Sequence, residues 1–199
     1  MTAIDTTVNA FVVAIDARID YEVTKNVENT SIVKTLRDLR KSVDHVKIAE
    51  IMLACNVDAD FINRAERVSA RFNVYSAEKV VNVARAQAAA ASLNHYTRAI
   101  FLTALALENV DLQLTHKDAV VACSRDAKHS DAKRAKHVVR YDKCVAASTC
   151  ATQSSSSINA LQMFSVFKES RDAANNVCYS INRDAVAAIA LAKHLNVAL

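Results

Sequence analysis

The densest chemistry in this chain lies between Thr115 and Lys143. Lys117, Arg125, Lys128, Lys133, Arg134, Lys136, Arg140 and Lys143 stand there against Asp118, Asp126, Asp131 and Asp142, with His116, His129 and His137 among them. Such a block is either an electrostatic footprint for a polyanion or the solvated face of a helix. Residues 1–114 hold 13 basic and 14 acidic groups, so the positive charge is local and the overall balance is only +4. A second polar run follows, Thr152-Gln153-Ser154-Ser155-Ser156-Ser157, with short hydroxyl side chains of the kind that donate to phosphate.

Catalytic chemistry is hard to assemble from the same residues. The triplets Asp126–Lys128 and Asp131–Lys133 supply the residue types of a metal-and-lysine hydrolytic core. That core needs strands and a further upstream carboxylate, whereas this stretch reads as helix or loop. His129 and His137 lie eight apart without Cys or carboxylate at ligand spacing beside both. Cys123 or Cys144 with His137 would make a thiol–imidazole pair only if the fold brought them together. The five cysteines are odd in number and form no Cys-x-x-Cys, against a disulfide framework or zinc finger. No enzyme activity, metal or cofactor is expected.

Composition removes whole classes of function. The 199 residues contain no Gly, no Pro and no Trp. Dinucleotide fingerprints, P-loops, nucleophile elbows and EF-hands all require Gly and are excluded in standard form. All codons for the three missing residues contain GG or CC, which makes pressure on the nucleic acid, or redesign, a candidate cause. No basic leader or run of eighteen apolar residues occurs, so no membrane span is expected and a cytoplasmic location is.

Without Gly and Pro as punctuation, long helices are expected, with Asn ending them in the left-handed conformation. Helices are predicted over 5–24 (Val8, Phe11, Val12, Ile15 and Ile19 on one stripe) and 31–43. A third is predicted after an Asp44 cap to Asn56, a fourth after Asp58 to Asn73, a fifth from Ser76 to Asn94, and a buried one over 95–109. Thr115 and Asp118 have capping-box spacing. Val177, Tyr179 and Ile181 alternate as a strand, 165–170 is its partner, and RDAANN is the turn between them. A last helix from Asp184 to Leu195 is expected to bury Val186, Ile189, Ala190 and Leu195.

The C-terminal order helix, helix, strand, turn, strand, helix resembles a winged helix-turn-helix DNA-binding domain. In this resemblance Val145-Ala146 starts the first helix, Ser148–Thr152 is the turn, Gln153–Phe164 is the recognition helix, and Arg171–Asn176 is the wing tip. It implies a mainly α fold: a helical N-terminal core or dimerisation domain over 1–114, then the basic segment and winged helix over 115–199, with a wing of two or three strands. It further implies a sequence-specific regulator of transcription bound to double-stranded DNA, as a homodimer matching two half-sites. Thr152, Gln153, Ser154, Ser155 and Ser156 would line the helix end. Gln153, Asn159 and Gln162 would reach base edges. Lys133, Arg134, Lys136, Arg140 and Lys143, with Lys168 and Arg171 near the wing, would hold phosphates. The same residues also admit a flexible Ser-rich linker over 154–157. The function then open is a helical structural or assembly protein, such as a virion or scaffold component, without a nucleic-acid role.

Overall fold

A computed structural model describes residues 2–25, 28, 30–43, 45–57, 74–140 and 145–199. The chain divides into two compact units, Met1–Ser92 and Leu93–Leu199.

The first unit is helical. It contains α1 (Ala3–Lys25), α2 (Thr30–Val43), α3 (Val46–Ala54) and α4 (Val74–Gln87). Phe11, Ala14 and Ile15 of α1 are buried with Leu36, Leu39 and Val43 of α2, as their 3–4 spacing requires. Thr2 and Asp5 form a reciprocal cap that starts α1: the Thr2 N–H donates to Asp5 Oδ2 (2.7 Å) and the Asp5 N–H to Thr2 Oγ1 (3.1 Å). The predicted Asp44 cap and the helix over 58–73 lie outside the described residues; the residue that caps α3 is His45, without a side-chain bond. Asn56 ends α3 at φ 55°, as expected of Asn. The fifth predicted helix stops earlier than Asn94. Ser76 lies inside α4, and Ala89 turns the chain at φ 54°.

The second unit runs α5 (His95–Glu108), β1 (Leu114–Thr115), α6 (His116–Cys123), α7 (Ala132–Ala135), α8 (Ala147–Met163), β2 (Phe167–Arg171), β3 (Val177–Ile181) and α9 (Val186–Leu195). Asn94 caps α5 by accepting from the Tyr96 and Thr97 N–H groups. Helices α5, α6 and α8 pack on one another. Ile100, Phe101, Leu107, Val121, Cys123, Ile158 and Leu161 on these helices are buried. The division between the two compact units falls just before α5. The three strands are antiparallel in the order β1-β3-β2, with Thr115 opposite Cys178 and Ser170 opposite Cys178 on its other side. The predicted hairpin is present, shifted two residues at its start. Ser165 takes φ 55° as the left-handed cap of α8, and the strand begins at Phe167.

Two predictions fail here. The helix α8 is continuous from Ala147, so Ser148–Thr152 is its first turns and not the turn of a helix pair, and Val145-Ala146 opens no earlier helix. Cys150, Ser154, Ser157, Ile158 and Leu161 make an unbroken buried seam, and no breaker interrupts it. In α9, Val186 and Ile189 are 70% and 52% exposed, while Ala187, Ala188, Leu191 and Ala192 are buried. Asp184 caps nothing, the cap position being Ala185. No helix among the described residues is long and apolar enough to cross a membrane.

Candidate nucleic-acid interface

Residues 124–140 of the basic segment are fastened to their neighbours by hydrogen bonds, and Ser124 is held beside Val145 at the start of α8. Ser124 and Val145 form a parallel bridge, and the Arg125 N–H donates to the Val145 carbonyl (3.2 Å). Ser124 Oγ accepts from the Asp126 and Ala127 N–H groups (3.2 and 2.9 Å). Thr103 of α5 holds the far end: its hydroxyl accepts from the Val139 N–H (2.9 Å) and donates to the Val139 carbonyl (3.2 Å).

Asp118 is the centre of this fastening. The expected capping box is complete, with Thr115 Oγ1 accepting from the Asp118 N–H and Asp118 Oδ2 accepting from the Thr115 N–H (2.7 Å) and hydroxyl (2.6 Å). The carboxylate is wholly buried. A buried charge is tolerated only when paired, and Arg134 Nη1 supplies the pair at 2.7 Å while also donating to the Gln113 carbonyl (3.0 Å). His129 Nε2 lies 3.0 Å from Asp118 Oδ1, close but poorly aligned for a hydrogen bond. On the other side of the ring, His129 Nδ1 lies 3.0 Å from the Asp131 backbone nitrogen and 3.1 Å from the Asp131 carbonyl oxygen. Asp131 caps α7, accepting from the Lys133 and Arg134 N–H groups. Those bonds, the one from Arg134 first, hold the Asp131 carboxyl below its usual range.

These contacts sort the predicted phosphate-binding cations into two kinds. Arg134 is half-buried against Asp118, whereas Arg140 is exposed and lies along the loop's own backbone. Arg140 donates to the carbonyls of Ser124 (3.0 Å), Arg125 (3.1 Å) and Ala127, so it fastens the loop's own backbone. Both guanidinium groups are thus engaged within the loop, Arg134 by the Asp118 carboxylate and Arg140 by three carbonyls, since the arginine fork meets several acceptors at once. Lys133 and Lys136 are exposed, as is Lys128, and no side-chain partner is found for them among the described residues. Lys143 lies outside the described residues. Lys168 is exposed on β2, and Arg171 Nη1 donates to the Asn175 carbonyl across the hairpin turn (2.9 Å). Asp172 closes that turn, its carboxyl held low by the Asn176 side-chain amide and backbone N–H.

The hydroxyl run also divides. Ser154 and Ser156 are buried, their hydroxyls donating to the Ala151 (3.1 Å) and Thr152 (2.6 Å) carbonyls. Their expected place at a free helix end is thus corrected, because α8 begins at Ala147 and these residues lie in its body. Small hydroxyl side chains let neighbouring helices approach while satisfying their own polar atoms. Ser157 does this against α5, accepting from Thr97 Oγ1 (3.1 Å). Thr152, Ser155, Asn159 and Gln162 fall instead on the outward stripe, at 3–4 spacing with Ser148. Thr152 and Asn159 are exposed; Gln153, Ser155 and Gln162 are half-buried. Gln162 Nε2 donates to Glu169 on β2 (3.0 Å). His116, absent from the predicted set, lies 3.1 Å from Ser155 Oγ and 3.4 Å from Ser154 Oγ. Its place just after the Thr115 cap was the available signal. The helix α8 carries no charged residue. No known family, curated protein or solved structure matches the chain.

Proposed function

We propose that residues 93–199 form a winged helix-turn-helix domain that binds double-stranded DNA, with α8 in the major groove. The supporting observation is the chain order α5, β1, α6, α7, α8, β2, turn, β3, with β3 between β1 and β2. In this reading α6 and α8 are the helix pair. The connection between them stands where a short turn would, and the Ser124–Val145 bridge joins the end of α6 to the start of α8. The outward stripe of α8, short, polar and uncharged, suits close approach to base edges. Thr152 and Asn159 are its exposed readers; Lys128, Lys133, Lys136, Lys168 and Arg171 meet phosphates. Such a protein is a regulator of transcription working in the cytoplasm as a homodimer.

The test is duplex binding measured by fluorescence anisotropy against salt concentration. Four phosphate contacts give a log–log slope near −4. A flat slope, or no binding at low salt, overturns the reading and leaves a helical assembly protein in its place.

A further inference from the structure

The exposed face of α9 is the one that the sequence alone assigns to the core. Val186 and Ile189 are one helical turn apart, and Ala190 and Lys193 continue the stripe. Ile189, Ala192, Lys193, Val197 and Leu199 line a shallow groove along it, with Arg183 at its end. Six large hydrophobic residues are substantially exposed among the described ones, and two of them sit here on ten residues of helix. Contiguous exposed apolar surface on a stable helix marks a contact site.

The charges at the two ends of the stripe indicate what covers it. Asp184 precedes the helix, and Lys193 lies in its last turn. Both are exposed, and neither has a partner among the described residues. Arg183 is already committed, donating to Glu108 at 3.0 Å. We propose that α9 pairs antiparallel with α9 of a second copy about a two-fold axis near Ile189. Each Asp184 then lies beside the partner copy's Lys193, the apolar stripes cover each other, and the helix dipoles oppose. A parallel pairing would set like charges together. The surface is thus complementary to itself, as a two-fold interface must be. One ten-residue helix face covers less than the ~800 Å² per partner of a standard interface, so the dimer is weak and depends on concentration. This pairing gives the homodimer of the proposed function its surface, and its test uses no DNA, so its failure leaves duplex binding to be judged separately.

The experiment is sedimentation equilibrium of the full chain from low micromolar to several hundred micromolar. A monomer–dimer equilibrium is expected. Ile189→Asp should weaken it at least tenfold while leaving the far-UV dichroism spectrum and melting point unchanged, because the side chain is half in solvent. Asp184→Lys and Lys193→Asp should each weaken it, and the double reversal should restore the wild-type constant. A monomer at every concentration overturns the proposal. So does a dimer that Ile189→Asp does not weaken, or charge reversals without mutual rescue.

Discussion

Arg134→Ala separates a fastening role from a binding role. Asp118 is 0% exposed and Arg134 19%, and their atoms meet at 2.7 Å. Removing one partner of a buried pair costs ~3–5 kcal/mol. The two Thr115 donors to the same oxygen survive, and the guanidinium is partly wet, so the loss here is set at about 2–3 kcal/mol. For a unit of this size each kcal/mol moves the melting point by about 4–8 °C, so a fall of at least ~8 °C is expected. Thermal melting by circular dichroism gives the value. Asp118→Ala combined with Arg134→Ala should recover part of the loss, since no buried charge is then stranded. Lys133→Ala and Lys136→Ala should melt with the wild type, and each should reduce the salt slope of duplex binding by about 0.9. Arg134→Ala melting with the wild type while lowering the slope by the same amount would refute the reasoning, for it would show an arginine on phosphate.

Ala89 and Ser165 hold φ of 54° and 55°. Replacing either with Gly should stabilise by about 0.5 kcal/mol, the relief of the left-handed penalty less the added unfolded-state entropy, read as a small rise in denaturant midpoint. Thr115→Ala removes the α6 cap and one donor to Asp118, and a loss of at least ~1 kcal/mol is expected in the same assay. The carboxyls of Asp131 and Asp172 are held below their usual range by donors to the ionised form. Their contribution is present above the unfolded value and disappears as pH falls through the lower folded one. Amide exchange in the 172–176 turn should thus accelerate in acid at a pH below the ordinary Asp range, and Asp172→Asn should abolish that step. Asn159→Ala should relax the preference at one base pair by about 1–3 kcal/mol in competition binding, with little change in salt slope.

Much of the architecture is legible locally because it is decided locally. Helix α1 follows its apolar stripe, and the Thr115–Asp118 box is written in four residues. Asn56, Asn175 and Asn196 take positive φ because Asn pays least there after Gly, which this chain lacks. The hairpin follows from alternation bounded by a turn. The rest shares a cause of the opposite kind. Which acceptors Arg134 and Arg140 meet depends on Asp118, Ser124 and Ala127, which no spacing rule connects to them. Four consecutive serines signal neither a buried seam nor a free end until α5 supplies a neighbour. The strand β1 is two residues long and exists only because β3 lies beside it.

The sequence by itself determined the helical majority, the hairpin, the capping box and the concentration of positive charge between Thr115 and Lys143. Periodicity, turn chemistry and charge are properties of neighbouring residues, and a sequence displays neighbours. Only the tertiary structure decided which cations fasten the loop and which remain for a ligand, where α8 begins, and which face of α9 stays uncovered. Those outcomes are contacts between segments far apart in the chain, and burial, the quantity that fixes them, exists only after the segments have met.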